Sequence, residues 1–302
     1  MTIAITGGTG FVGQSVLDEA RRRGLAVRAL TRKQQEPRDL VEWVGGDLED
    51  KAALSRLVDG ARAVLHIAGV VNAPDAAGFE HGNVAGTQNL LTAARGVQAQ
   101  RMLFVSSLSA REPALSDYGR SKRLAEEAVQ VSGLDWTIIR PPAIYGPRDT
   151  EMLDLFRAAK FGVVPMPGNG RASIIHVEDL ARLLLDLVEG TPATLNRMFE
   201  PDDGREGGWS HTDLARSIGA AMGRRVWTPQ LPPWAVLAAA RLDRMVRGGK
   251  AKLTLDRARY MIHPDWVSSQ DKRVPPELWQ AQVATQRGLA ATGQWYRDKG
   301  WL

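Results

Sequence analysis

Thr6-Gly7-Gly8-Thr9-Gly10-Phe11-Val12-Gly13 follows directly on the apolar run Ile3-Ala4-Ile5, and Val12, Val16, Leu17 and Ala20 then recur at helical spacing until Gly24. The chain therefore opens with a strand, a glycine turn and a helix. Gly7, Gly10 and Gly13 stand where the backbone must turn sharply, approach a pyrophosphate closely and aim helix N-terminal amides at it. A side chain at those positions would obstruct this. A glycine triplet by itself also fits a plain strand-to-helix turn, but its place directly after an apolar strand points to a dinucleotide.

Working outward, strand-like runs recur at Ala26 to Thr31, Ala63 to Ala68, Met102 to Ser106 and Thr137 to Arg140, with helical stretches between them. Such alternation predicts an α/β fold, a doubly wound parallel sheet of Rossmann type covered on both faces. After Pro147 the pattern breaks at Gly162, Pro165, Pro167, Gly168 and Gly170, then resumes at Ile174-Ile-His-Val177 and a helix begun by Glu178-Asp179. From Phe199 onward, Trp-rich and Pro-punctuated helices are expected at Thr212 to Met222, Trp234 to Val246, Pro276 to Trp279 and Leu289 to Lys299. The expected division is residues 1–146 plus about 174–198 for dinucleotide binding. Residues 147–173 plus 199–302 would form a smaller, mostly helical substrate lobe.

Composition narrows the function classes. The 302 residues carry 39 Lys+Arg against 34 Asp+Glu, a formal charge of only +5, with no basic block that argues for nucleic acid. Cysteine is absent, which removes disulfides, thiolate catalysis and Cys-based metal sites, and fits a cytoplasmic setting. The five histidines (His66, His81, His176, His211, His263) show no ligand-like spacing, so no metal site is expected. No membrane span is expected either, since the longest apolar stretch, Leu231 to Ala240, is interrupted by Pro232 and Pro233 and no leader precedes the first strand.

Eleven residues after Ser106-Ser107, the chain carries Tyr118-Gly-Arg-Ser-Lys122. Four residues apart on a helix, Tyr118 and Lys122 share one face. A phenol with an ordinary pKa near 10 is a poor base at neutral pH, but a neighbouring ammonium favours the phenolate. Tyr118 is thus the candidate acid/base beside a nicotinamide. Ser107 is the candidate that orients the same substrate oxygen, with Ser106 and Ser109 as rivals. At the end of the second strand, Arg32 suits a 2′-phosphate, and no acidic residue appears before Glu36. NADP(H) is therefore the expected cofactor, with NAD(H) as the alternative.

The ordered set Gly46-Asp47-Leu48, His66-Ile-Ala-Gly69, Asn83-Val-Ala-Gly-Thr-Gln-Asn-Leu-Leu91, Tyr118xxxLys122, Arg140-Pro-Pro-Ala-Ile-Tyr-Gly146 and Arg171-Ala-Ser-Ile-Ile-His-Val177 resembles the extended, epimerase-like branch of the short-chain dehydrogenase/reductase superfamily. The resemblance covers nearly the whole chain. It implies cofactor contacts at Phe11, Val12, Asp47, Leu48, Ala68 and Pro141 beside the glycines. It also implies that Lys122 holds the nicotinamide ribose. Asn83 would orient groups near Lys122 or serve as a structural amide. Arg171 resembles a residue that holds a nucleotide-sugar phosphate, and a surface salt bridge is its plain alternative. Superfamily members commonly dimerise through two long helices, which here would follow Phe79 and Tyr118.

Only ten residues separate Ser107 from Tyr118, where sugar-nucleotide members carry a longer excursion. The leading expectation is accordingly an NADP(H)-dependent oxidoreductase of a small carbonyl or alcohol. A nucleotide-sugar epimerase or dehydratase and a non-catalytic NAD(P)-binding protein are the alternatives. The tryptophans clustered at 209, 227, 234, 266, 279, 295 and 301 read as packing residues of the second lobe. Trp234 to Val246, with Arg241, Arg244 and Arg247, reads as a lobe helix rather than a membrane-touching one.

Overall fold

The computed structural model describes residues 2–97, 101–251 and 253–302. Its first part runs β1 (Thr2–Thr6), α1 (Phe11–Arg22), β2 (Ala26–Thr31), β3 (Val41–Gly45), α2 (Lys51–Val58), β4 (Ala63–His66), α3 (Ala76–Phe79), α4 (Gly86–Gly96), β5 (Arg101–Val105), α5 (Asp117–Gln130) and β6 (Asp135–Ile139). With Arg197–Phe199, these strands form one parallel seven-stranded sheet, in the order Arg197–Phe199, β6, β5, β4, β1, β2, β3. From β1 the chain builds outward through β2 and β3, then returns to add β4, β5 and β6 on the other side. The order reverses between β1 and β4, whose last residues, Thr6 and His66, are register partners. A ligand crevice opens outside the carboxyl ends of strands at such a reversal.

Two strands of that sheet escape the sequence expectation. β3 is an edge strand with an interrupted burial pattern, and it ends at Gly45-Gly46 after five residues. Arg197–Phe199 is three residues long and, among the described residues, pairs only with β6, so it is too short for periodicity to reveal. The strand at Ala63 is consequently the fourth in the chain, not the third. The helix expected at Pro276 to Trp279 is also corrected. It is a single turn, in which Leu278 and Trp279 donate to the Pro275 carbonyl.

The chain divides into two compact units. One runs to Arg140 and adds Leu180–Glu200 and Val274–Trp279. The other comprises Pro141–Asp179, Pro201–Arg273 and Gln280–Leu302, and the cut passes through α7 (Val177–Asp186). The first unit's core gathers Leu54, Leu57, Val64, Leu90, Phe104 and Ile138 between sheet and helices. In the second, α6 (Leu153–Lys160), α8 (His211–Ala221) and α11 (Thr285–Asp298) close around Phe156, Leu214, Ile218, Leu289 and Tyr296. A smaller cluster joins α9 (Pro233–Arg247) to α10 (Leu255–Met261) through Val236, Ala240 and Ala258. Among the described residues, no helix is long and apolar enough to cross a membrane.

Candidate active site

Three segments meet the carboxyl end of the sheet in the first unit: the glycine turn after β1, the stretch after β4, and α5. Gly7 has φ +77°, and a Cβ there would lie 2.6 Å from the Ala68 amide nitrogen; one at Gly13 would lie 2.0 Å from the Gly7 carbonyl oxygen. Both positions exclude side chains because backbone packs on backbone. At Gly10 a Cβ would meet only that same oxygen, at 3.4 Å, so the middle glycine leaves open space on the outer side of the turn. Gly10 caps α1 without a side-chain bond, and the helix has no acidic residue in its first turn. The amides of Phe11, Val12 and Gly13 thus form a positive helix end with no carboxylate of its own, as a pyrophosphate requires. This cradle fits the dinucleotide that the glycine spacing implied.

At the end of β2, Arg32 and Lys33 are exposed. Arg32 has no ion pair or hydrogen bond among the described residues, whereas Arg38 is committed to Gln14 and Asp18 on α1. Asp47 spends one carboxylate oxygen on the amides of Glu49 and Asp50, and the Leu48 carbonyl accepts from Asn89. The Asp47 side chain and the Leu48 carbonyl therefore hold the turn before α2.

The buried stripe of α5 is Ser121, Lys122, Ala125, Glu126 and Val129. Helical periodicity would fill such a stripe with apolar residues, and an ammonium and a carboxylate inside it mark a built polar site. Lys122 Nζ donates to the Val105 carbonyl at 2.9 Å and lies 4.5 Å from the Phe104 ring centroid. Burial pushes its pKa down to about 8, while Glu126 opposes the shift. Gly69 packs beside Asn83, since a Cβ there would crowd Asn83 Oδ1 at 3.1 Å while meeting Lys122 Nζ at an ordinary 3.5 Å. Tyr118, one turn earlier, packs its ring 5.9 Å from that of Phe79. Gly119 brings α5 against the preceding turn, for a Cβ there would stand 2.7 Å from the Ser109 carbonyl oxygen.

The folded Lys122 pKa lies below the ordinary 10.5, so the burial cost is full below about pH 8. It fades as pH rises towards 10.5, where the unfolded chain also loses its proton. Lys122→Met is expected to stabilise the fold by about 2–3 kcal/mol near neutrality, a gain that shrinks above pH 8. Thermal unfolding of both proteins across that range reads it directly.

Asn83 sits in a π-helical turn, Glu80–Ala85, inserted between α3 and α4. Its Oδ1 accepts from the Val70 amide at 2.7 Å, and its Nδ2 donates to the Val70 carbonyl and to Ser121 Oγ, both at 2.9 Å. Ser121 in turn donates to the Tyr118 carbonyl. Of the two roles open to Asn83, the structure shows it tying the chain after β4 to the turn of α5 between Tyr118 and Lys122. The wide turn presents it.

Of the three serines, Ser106 donates to Glu126 Oε1 at 2.5 Å and is buried. Ser109 donates to Ser107 Oγ at 2.8 Å. Ser107 accepts that bond and one from the Ser109 amide, which leaves its own hydroxyl hydrogen available to a ligand.

Sequence reading missed the ion network beneath these groups. Arg140 grips Glu126 through two bonds of 2.6 and 2.8 Å, both side chains almost wholly buried, and approaches Glu200 at 3.4 Å. Glu126 was legible as the residue one turn beyond Lys122 on the same face. Sequence reading also missed the chain of bonds through His66. The Ala68 amide donates to Thr6 Oγ1, and Thr87 Oγ1 donates to the Asn83 carbonyl. His66 lies between those hydroxyls at 2.6 and 2.9 Å, which leaves the ring accepting at Nδ1 and donating at Nε2. Burial, with Lys122 nearby, pushes its pKa down to about 3, so this histidine is a neutral strut.

Pro141 and Arg171 belong to the second unit. Pro141 is buried. The guanidinium of Arg171 is held by the carbonyls of Gly207 and Gly208 at 2.6 and 3.0 Å, in place of the salt bridge that was its plain alternative. Trp209 packs in the core, whereas Trp227 and Trp234 stand exposed, so the packing role expected for all the tryptophans does not extend to those two. No His, Asp and Glu cluster that could hold a metal occurs among the described residues.

Comparison with known proteins agrees with this fold. The sequence model of the NAD dependent epimerase/dehydratase family matches residues 3–196. The chain is 38% identical to a ceramide reductase of Caulobacter vibrioides over 309 residues, 99% of this chain and 96% of the relative. It is 31% identical to a farnesyl-dihydroquinoline-oxide ketoreductase of Stigmatella aurantiaca over 64% of this chain and 66% of the relative. Among solved structures, MoeE5 in complex with UDP-glucose and NAD superposes with a TM-score of 0.75 at 21% identity, over 99% of each chain. A Thermus thermophilus UDP-glucose 4-epimerase with NAD gives 0.72 at 22%, over 98% of this chain and 99% of that one. The chain belongs to the NAD dependent epimerase/dehydratase family, the extended branch of the short-chain dehydrogenase/reductases. Within it, the protein is an NAD(P)-dependent oxidoreductase.

Proposed function

We propose that this oxidoreductase reduces a ketone on a lipid-like substrate with NADPH, Tyr118 acting as the general acid. The observation that carries the reading is the placement of Lys122 on the buried face of α5, one turn from Tyr118, with its ammonium fixed by the Val105 carbonyl. A bound reduced nicotinamide would supply hydride to the carbonyl carbon. The chain's own residues supply the rest. Tyr118 gives its phenolic proton to the carbonyl oxygen, and the Lys122 ammonium stabilises the phenolate left behind. Ser107 donates its hydroxyl to the same oxygen and orients it. Asn83 and Ser121 keep the first turn of α5 in register with the chain after β4. The first unit serves as the dinucleotide-binding domain. The glycine turn with Phe11 and Val12 would hold the pyrophosphate; Asp47, Leu48 and Ala68 would line the rest of the cofactor's path.

The lipid-like substrate class draws on the named relatives, a ceramide reductase and a farnesyl-bearing ketoreductase. It is larger than the small carbonyl expected from the short link between Ser107 and Tyr118. The epimerase reading is weaker, because Arg171 already has two of its donors engaged by backbone carbonyls. A panel of short- and long-chain ketones, scored by loss of NADPH absorbance, tests the proposal. Turnover restricted to the long-chain members supports it, and turnover of none with coenzyme bound rejects it.

NADP(H) preference rests on the unpaired Arg32. A guanidinium on a phosphate contributes about 1.5–3 kcal/mol. Arg32→Ala is therefore expected to weaken NADPH binding about 10–100-fold and to leave NADH binding unchanged. Equal loss for both coenzymes in a fluorescence titration would reject the assignment.

A further inference from the structure

α9 is amphipathic in an inverted sense. Its packed face is Val236 and Ala240, joined to α10. Trp234, Ala238, Leu242 and Met245, spaced four, four and three residues apart, lie on the opposite face. That face is open: Trp234 is 72% exposed, Leu242 60%, Met245 82% and the adjacent Val246 74%. A soluble helix normally turns charge, not four large apolar side chains, towards water. Upstream in the same unit, Trp227 and Phe161 are also exposed, Trp227 in a bridge with Val163.

Charge is concentrated on the same segment. Residues 224–250 contain six of the chain's 39 basic residues and one of its 34 acidic residues, a net +5 that equals the formal excess of the whole protein. The other 275 residues balance at 33 of each sign. The guanidinium groups of Arg241 and Arg244 make no ion pair or hydrogen bond among the described residues, and the segment's one acid, Asp243, accepts from the Leu253 amide and pairs with Arg247. Free cations beside an apolar face complement an anionic phospholipid surface, where arginine heads meet phosphates and Trp, Leu and Met side chains enter the acyl boundary.

We propose that α9 is a membrane-docking helix that seats the protein on anionic lipid bilayers without crossing them. The surface is independent of the reductase reading, and its test needs no turnover. Flotation of the full chain with vesicles of phosphatidylcholine, alone or with about a third phosphatidylglycerol, reads the association. The protein is expected to float with the anionic vesicles and to dissociate about tenfold or more in high salt. Two double variants, Leu242→Asp with Met245→Asp and Arg241→Glu with Arg244→Glu, are each expected to lower partitioning about tenfold or more. Melting temperature and coenzyme affinity should stay unchanged, since these side chains face outward. Absence of flotation, or wild-type flotation by both variants, overturns the proposal. Lipid-free self-association that the Leu242 and Met245 variant abolishes would assign the face to a second copy of the chain and overturn it equally.

Discussion

Tyr118→Phe is expected to bind NADPH as tightly as the native protein and to reduce ketone about 10²–10⁴-fold more slowly, the usual contribution of a positioned general acid. The substitution deletes one oxygen and leaves the ring against Phe79, so the fold and the glycine turn that would hold the coenzyme are untouched. Rate and affinity should separate in one pair of measurements, single-turnover oxidation of NADPH and its fluorescence titration. The same acid explains an expected pH limb. Burial holds the Lys122 pKa at about 8. Reduction should therefore fall as the ammonium that stabilises the phenolate loses its proton above about pH 8. Undiminished turnover by the variant would remove Tyr118 from the chemistry.

Glu126→Gln carries the largest expected loss of stability. Arg140 is almost wholly buried and makes two bonds to Glu126, and the carboxylate also accepts from Ser106. An amide cannot accept from all of these, and the guanidinium would face Glu200 alone at 3.4 Å. Breaking one side of such a buried pair costs about 3–5 kcal/mol, readable as a drop in denaturation midpoint. The variant also removes the carboxylate that raises the Lys122 pKa, so the alkaline limb of any surviving activity should move to lower pH. A stability loss without that movement would confine Glu126 to a structural role.

The parts of the fold that the sequence disclosed are those where local signals coincide. In β1 and α1 an apolar strand, glycines at fixed spacing and a 3.6-residue period agree, and the structure places the turn where those signals put it. Tyr118 and Lys122 were legible because one helical turn separates them. β3 and Arg197–Phe199 were not, since an edge strand with water on one side and a three-residue strand carry almost no period. The network of Ser106, Glu126, Arg140 and Glu200 is assembled from four segments brought together only by the sheet. Exposure of α9 was equally hidden, because apolar spacing tells that a face is apolar and not whether anything covers it.

Reduction of a long-chain ketone with coenzyme deuterated at the transferring position of the nicotinamide tests the central claim most directly. A product alcohol bearing the label at its carbinol carbon, formed with an equal amount of oxidised coenzyme, is the predicted result. A product without the label, or a rearranged substrate with the coenzyme still reduced, would contradict it.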